Sequence, residues 1–595
     1  MERVADYVMR YLKEIGVSHI FMVNGRGVLF LTDAAARAAE ISTISTYHEQ
    51  GASYAAMAYA QASGGLSACL VSTGCAASNA VTAALCAFQD NVPMIFISGQ
   101  HMLHETTHYT GLPIRTYGSQ EADIIRMVKP VTKYAAMLMH ADDVACVLEE
   151  AASFAMAGRQ GPVWIDIPLD VQNMRVDAEQ LKHYEASADE PEETHPLVIT
   201  QIADELHAAK RPLLLLGGGV RSAKAETLVR ALVERVHIPV VFTPAGADAY
   251  GSAHALSIGA IGAIGGSRAG NFALQNADCI LAIGTKLCSQ ITGGDAEKFA
   301  PHARITIVDI DEREHQKKGV AFERFIHMDA RLFLEAFLVQ HLHETNAAWQ
   351  EKCRHWKQIF HVSEEYFVKD LNAENRIDLY SFSDALSTCL PNDATVITDA
   401  GFEELIIPST IAFRESQRCL FPAAQGAMGY AVPAILGAYY AGQQEIITVV
   451  GDGSVMMNAQ ELPLIAAHGI PAKIFVINNN MYAVIRKRQR DLFRTRTIGN
   501  DPSDGLPAPN FAALAAFAGF AYARVERYDE LGGTLGEVLA SDRPVLCEVM
   551  CTPDQKYLHR SYAVGAGRRL EHRPLEDLAP FMERELLARE MCTEY

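Results

Sequence analysis

Ile446-Ile447-Thr448-Val449-Val450-Gly451-Asp452-Gly453-Ser454 is the stretch that decides the fold, and Asn478-Asn479 follows Gly453 after 24 intervening residues. Five β-branched residues in a row read as a strand buried on both faces, as in a parallel sheet. The strand stops at a Gly-Asp-Gly turn and opens a helical pattern over residues 459–468. A second buried run, Lys473-Ile474-Phe475-Val476-Ile477, ends at the two asparagines. In a parallel sheet both turns fall at the carboxyl edge, where open α/β folds bind ligands. Asp452 and Asn479 offer a carboxylate and a carboxamide oxygen, the hard ligands that Mg2+ takes together with phosphate oxygens and water. The glycines admit a phosphate to the backbone, and the helix start adds its positive end. The plainer alternative is a capping Asp and a turn Asn pair. Both halves standing behind buried strands at this spacing favour a metal–diphosphate site.

The same strand-then-helix alternation runs outward in both directions. Ala68-Cys69-Leu70-Val71-Ser72-Thr73-Gly74, Val92-Pro93-Met94-Ile95-Phe96-Ile97-Ser98-Gly99 and Pro162-Val163-Trp164-Ile165-Asp166-Ile167-Pro168 are buried runs that end at turn residues. The fold class is therefore α/β, with three doubly wound parallel-sheet domains. An acidic stretch over residues 184–195, with Glu190-Pro191-Glu192-Glu193, reads as a linker, and the polar residues 340–380 read as a helical second connection. The expected domains are 1–183, 196–340 and 376–555, and the last 45 residues read as an irregular tail, 556–595 in the domain division.

Bulk composition narrows the function. A net charge of −20 argues against a nucleic-acid or anionic-membrane partner, since both need a basic face. The twelve cysteines form no CxxC pair, so reduced buried thiols are expected rather than a disulfide frame. Met1-Glu2-Arg3-Val4-Ala5-Asp6 lacks an apolar signal region, and no apolar stretch reaches the ~20 residues of a membrane span, so a cytoplasmic location is expected.

The Gly-Asp-Gly turn followed about two dozen residues later by Asn-Asn resembles the thiamine diphosphate enzymes. By that resemblance Asp452, Asn479 and the carbonyl of Met481 hold Mg2+, and Gly451, Gly453 and Ser454 hold the diphosphate. The family needs a carboxyl group on the cofactor's pyrimidine ring, from a Glu at a strand end and helix start. His48-Glu49-Gln50-Gly51, ahead of an Ala-rich run, offers Glu49. Gln425-Gly426-Ala427-Met428-Gly429-Tyr430 offers Met428 as the apolar wedge that bends the cofactor. Val71–Asn79 is similar to the pyrimidine domain's glycine loop, although Cys75 and Ala76 stand where Pro and Gly are common. Thr73, Gly401, Phe402 and Gln425 complete the implied cofactor set.

The resemblance covers essentially the whole chain and is nearest to acetolactate (acetohydroxyacid) synthases, within them to the acetolactate-synthase-like proteins of surface-sugar pathways. Gly118-Ser119-Gln120-Glu121-Ala122-Asp123-Ile124, Gly161–Pro168 and Arg573-Pro574-Leu575-Glu576-Asp577-Leu578 carry it. It implies decarboxylation of a 2-keto acid, pyruvate first, and carboligation to a second carbonyl; a non-ligating decarboxylase is the alternative. It implies a homodimer or homotetramer with a pocket between subunits, and Gln120 near the thiazole. Two departures bear on the substrate. Val23-Asn24-Gly25-Arg26-Gly27 places Arg26 where Pro-Gly-Gly is common, and Ser119 replaces an aromatic residue. Arg26 beside Gly25 is either a carboxylate or phosphate clamp or an exposed loop cation. FAD is implied for the central domain, near Gly217-Gly218-Gly219, Gly284-Thr285-Lys286 and Asp309-Ile310-Asp311, against a central domain that carries no cofactor. His104-Glu105-Thr106-Thr107-His108 matches the HExxH zinc motif but lacks an apolar helical stripe, so it reads as a loop whose His104 or His108 serves the pocket.

Overall fold

Strand order sorts most of the chain into three six-stranded sheets. The computed structural model describes residues 1–185, 196–560, 562–564 and 570–592. The first sheet holds β1 (His19–Met22), β2 (Ser42–Ser45), β3 (Ser67–Val71), β4 (Met94–Gln100), β5 (Tyr134–Met137) and β6 (Pro162–Pro168) in the order β2-β1-β3-β4-β6-β5. The second holds β7 (Pro212–Leu216), β8 (Val240–Phe242), β9 (Ser257–Ala260), β10 (Cys279–Ile283), β11 (Arg304–Asp309) and β12 (Arg324–His327) in the order β9-β8-β7-β10-β11-β12. The third holds β13 (Thr395–Ile397), β14 (Arg418–Leu420), β15 (Ile446–Gly451), β16 (Lys473–Asn478), β17 (Ala521–Val525) and β18 (Val545–Met550) in the order β14-β13-β15-β16-β18-β17. All neighbouring pairs in the three sheets are parallel. The first and third sheets share one topology, whereas the second has the dinucleotide-binding order 3-2-1-4-5-6.

The uniform apolar runs have the cause the sequence suggests. In β7, Leu213 and Leu215 enter one core while Leu214 and Leu216 enter the core on the opposite face. In β15, Ile446 and Val450 face one core and Ile447 and Val449 another. A strand covered by helices on both sides has no wet face to mark with polar residues.

Two helices join the outer domains. α1 (Glu49–Ser63) of the first packs along α2 (Ala431–Tyr440) of the third, and one core runs through both. Alanines make this close: Ala52, Ala55, Ala56 and Ala58 are fully buried, and a Cβ on Gly437 would meet the carbonyl of Ala55.

Two expectations change. Among the described residues the end of the chain is only partly irregular: Tyr562–Val564 pairs antiparallel with Leu570–His572, and Arg584–Glu590 is helical. Leu575 and Leu587 drop into the central core, an anchor too sparse to show as periodicity. The helix expected over 459–468 is a 3-10 turn (Ala459–Glu461) running into α3 (Leu462–Ala467), because a separate turn of helix, Asp452–Val455, already starts at the Gly-Asp-Gly. The second connection is helical, at Ala347–Ile359 and Tyr366–Ala373. The acidic linker falls largely on residues 186–195, outside the described residues. Among the described residues no helix is long and apolar enough to cross a membrane.

Candidate active site

The first sheet gathers its candidates at its carboxyl edge. β1 leads to Gly25 and Arg26, β2 to Glu49 and β3 to Thr73. The two loops interlock: the Gly27 N–H donates to Ser72 Oγ at 3.1 Å, and a Cβ on Gly25 would lie 2.5 Å from that oxygen. Arg26 is exposed beside them. Thr73 Oγ1 donates to Gln100 Oε1 (2.7 Å) and to the carbonyl of Gln120 (3.4 Å). Gln120 takes φ 67°, and the carbonyl it turns inward leaves room only for a glycine at position 74. Glu49 opens α1, and its Oε2 accepts from Asn79 Nδ2 at 2.9 Å, leaving Oε1 without a bond from this neighbour.

The third sheet gathers the other half. Asp452 Oδ1 accepts the Gly453 N–H (2.7 Å), and Oδ2 accepts those of Asn479 (3.2 Å) and Met481 (3.3 Å), which ties the ends of β15 and β16 together. Beside it Asn479 Oδ1 is buried without a partner. Such an acceptor costs about 1–3 kcal/mol unless a ligand takes it, and a cation next to the Asp452 carboxylate fits that demand. The Met481 carbonyl accepts from the Ala483 N–H at 2.9 Å. Ser454 Oγ donates to Asp399 (2.6 Å) and accepts from the Gly429 N–H (2.8 Å). Met428 sits in a turn between Gly426 and Gly429, both at positive φ, and Gln425 is exposed and bonds Gln89. Gly401 (φ 97°) and Phe402 form the turn after β13, held by Tyr557, whose hydroxyl donates to the Gly401 carbonyl at 2.7 Å. The Tyr482 ring covers Gly453 closely enough to exclude any Cβ there.

Sequence reasoning missed the acids around this half. Glu403 is buried between Gly401 and Gly451, and burial pushes its carboxyl up to about 8. Burial likewise raises Asp399 and Asp452 to about 6 and Glu404 to about 7. A buried carboxyl disfavours its charged form. The adjacent acids in Gly401-Phe402-Glu403-Glu404 were visible, but only folding shows that they turn inward. Asn79, Asn458 and Glu461 carried no signal beyond being polar.

The HExxH segment does not present its histidines on one helix. A 3-10 turn (Leu103–Glu105) and a helical turn (Thr107–Thr110) are separated by Thr106 in extended conformation. His104 is exposed, and His108 pairs with Asp123 at 3.0 Å. A cavity of about 570 Å³ opens between the three domains, its central-domain wall lying where the strand order reverses between β7 and β10 (Gly218, Thr243, Gly284, Asp309) and the facing walls formed by residues such as Gln61 and Phe421. A Cβ on Gly217 would strike the Gly284 carbonyl, so backbone meets backbone at that crevice.

Comparison with known proteins assigns each domain. Residues 2–127 match the thiamine pyrophosphate enzyme N-terminal TPP binding domain, 199–337 its central domain and 399–549 its C-terminal TPP binding domain. The chain is 31% identical to the acetolactate synthase large subunit of Parasynechococcus marenigrum over 92% of its own length and 87% of that protein's. It is 30% identical to the acetolactate synthase large subunit of Lactococcus lactis over 93% of both chains, and 28% identical to the acetolactate synthase isozyme 1 large subunit of Escherichia coli over 93% of its length and 94% of the relative's.

Proposed function

The chain belongs to the thiamine pyrophosphate enzymes, as a thiamine diphosphate-dependent carboligase of acetolactate synthase type, and we propose that pyruvate is its donor and that Mg2+ anchors its cofactor at Asp452 and Asn479. It decarboxylates a 2-keto acid and joins the remaining unit to a second carbonyl; the non-ligating decarboxylase is not favoured. The observation that carries the metal assignment is the unpartnered buried oxygen of Asn479 beside the Asp452 carboxylate. The Met481 carbonyl is the third protein ligand in this reading. Gly451, Gly453 and Ser454 line the diphosphate seat, with Gly401, Phe402 and Gln425 at its margin. Bound thiamine diphosphate supplies the carbon nucleophile and the electron sink that decarboxylation requires.

The chain's own residues do the rest. Glu49 holds and releases a proton at Oε1, while Asn79 keeps Oε2 in place. Met428, in the turn between Gly426 and Gly429, would supply the apolar side chain against the cofactor. In this reading Gln120, whose carbonyl accepts from Thr73, serves the thiazole end of the cofactor, and the exposed Arg26 beside Gly25 clamps the carboxylate or phosphate of a substrate, with the exposed His104 a further substrate contact. We assign the pocket to the seam of a homodimer or homotetramer, with Glu49 and Asp452 supplied by different chains. The crevice at Gly218, Gly284 and Asp309 suits a dinucleotide, and we assign FAD to it. All twelve cysteines are unpaired, in keeping with a reducing cytoplasm.

Labelled pyruvate offered with candidate acceptors, with products identified by mass spectrometry, tests the donor and ligation. A labelled acetolactate-type product is expected; free acetaldehyde as sole product overturns the carboligase reading. A flavin absorption band in the purified protein is expected, and its absence removes the FAD assignment.

A further inference from the structure

The entry to the Glu49 helix is held by a residue from the third domain. Glu461, fully buried at the start of α3, accepts the Tyr47 N–H at Oε2 (3.1 Å) and the His48 N–H at Oε1 (3.0 Å). These are the two peptide groups immediately before Glu49. Three residues earlier, Asn458 donates through Nδ2 to Gln50 Oε1 (3.0 Å) and to the Gly429 carbonyl (2.7 Å). The Gly429 N–H in turn bonds Ser454 of the Gly-Asp-Gly turn. Gly51 records the clamp in the sequence: a Cβ there would lie 2.5 Å from Glu461 Oε1. A buried carboxylate that accepts two backbone N–H bonds has little freedom, and neither do the peptides it holds.

We propose that Glu461 is a positioning residue for Glu49, fixing the backbone from which the Glu49 carboxylate is offered to the cofactor. Domain packing alone does not require this carboxylate, because α1 and α2 already join the domains through a shared apolar core. Two bonds on adjacent peptides at a helix entry set a direction, and Glu49 is the residue that follows on that path. The same clamp ties Glu49 to the Ser454 turn of its own chain, so ordering one half-site orders the other.

The inference rests on the reading of Glu49 as the group that activates the cofactor, and the experiment separates the two. Glu49→Gln, Glu461→Ala, Glu461→Asp and Gly51→Ala are compared by two readouts. The first is backbone hydrogen exchange at residues 47–52 in cofactor-free protein. The second is C2 proton exchange of thiamine diphosphate at saturation, measured by quenched-flow NMR. Glu461→Ala is expected to lose protection at 47–52 and to slow C2 exchange about ten- to a hundredfold, with partial recovery in Glu461→Asp. Gly51→Ala, which displaces the carboxylate without removing it, is expected to follow Glu461→Ala and supplies the answer if that variant does not fold. Unchanged C2 exchange in folded, saturated Glu461→Ala, or a loss of affinity alone, overturns the proposal. Unchanged exchange in Glu49→Gln overturns the underlying reading instead.

Discussion

At the level of single residues the third-domain half-site is a crowd of carboxyls awaiting cations. Asp452 gathers three backbone N–H bonds and leaves the neighbouring Asn479 oxygen empty-handed. Replacing Asp452 by Ala removes the anchor; Mg2+-dependent binding of thiamine diphosphate, measured by calorimetry, is expected to weaken at least tenfold, while binding without Mg2+ changes little. Glu403 is shifted the same way as Asp452, and further. Burial raises it from 4.5 to about 8, so between those values the folded state holds a proton that the unfolded chain has lost. Stability of the cofactor-free protein therefore falls as pH rises through this window and levels above it. Glu403→Gln removes that loss, and its gain in melting temperature over the parent is expected to be larger at pH 8 than at pH 5. An equal offset at both pH values would exclude the assignment.

Among elements, the contact of α1 with α2 governs how the Glu49 domain sits on the diphosphate domain. Small residues set the spacing, and Gly437 has no room for even a methyl group against the backbone at Ala55 and Tyr59. Gly437→Ala would favour the helix by about 1 kcal/mol on propensity alone. The steric cost is expected to win, giving a net destabilisation of about 1–3 kcal/mol in urea unfolding. Stabilisation by that variant would mean the helices are free to separate. The Ala-rich run after Glu49 announced a helix in the sequence, but it did not announce its partner, since alanine suits any close neighbour. The Gly-Asp-Gly and Asn-Asn turns were legible because each depends on a strand and turn contiguous in sequence. Glu461 was not, because its two bonding partners lie more than four hundred residues away.

For the whole molecule, matching topologies in the first and third sheets place one candidate half-site at the carboxyl edge of each. If the pocket forms between subunits, chains carrying Glu49→Gln and chains carrying Asp452→Ala, each inactive alone, complement one another. Random pairing makes half the dimers mixed, and each mixed dimer has one intact site of two, so about a quarter of parental activity is expected after co-expression. No recovery would place Glu49 and Asp452 of one chain in the same pocket.

By itself the sequence determined the three α/β layers and the residue types at the turns, because buried parallel strands must be apolar on both faces and their ends must carry the chemistry. Asp452 and Asn479 stood out by local spacing for that reason, whereas Glu49 was singled out only by the family resemblance. Tertiary structure alone decided which carboxyls turn inward, that the chain's end anchors in the central core, and that Glu461 grips the entry to the Glu49 helix. Those outcomes depend on which surfaces meet, and burial and hydrogen-bond partners arise only when distant segments are packed together.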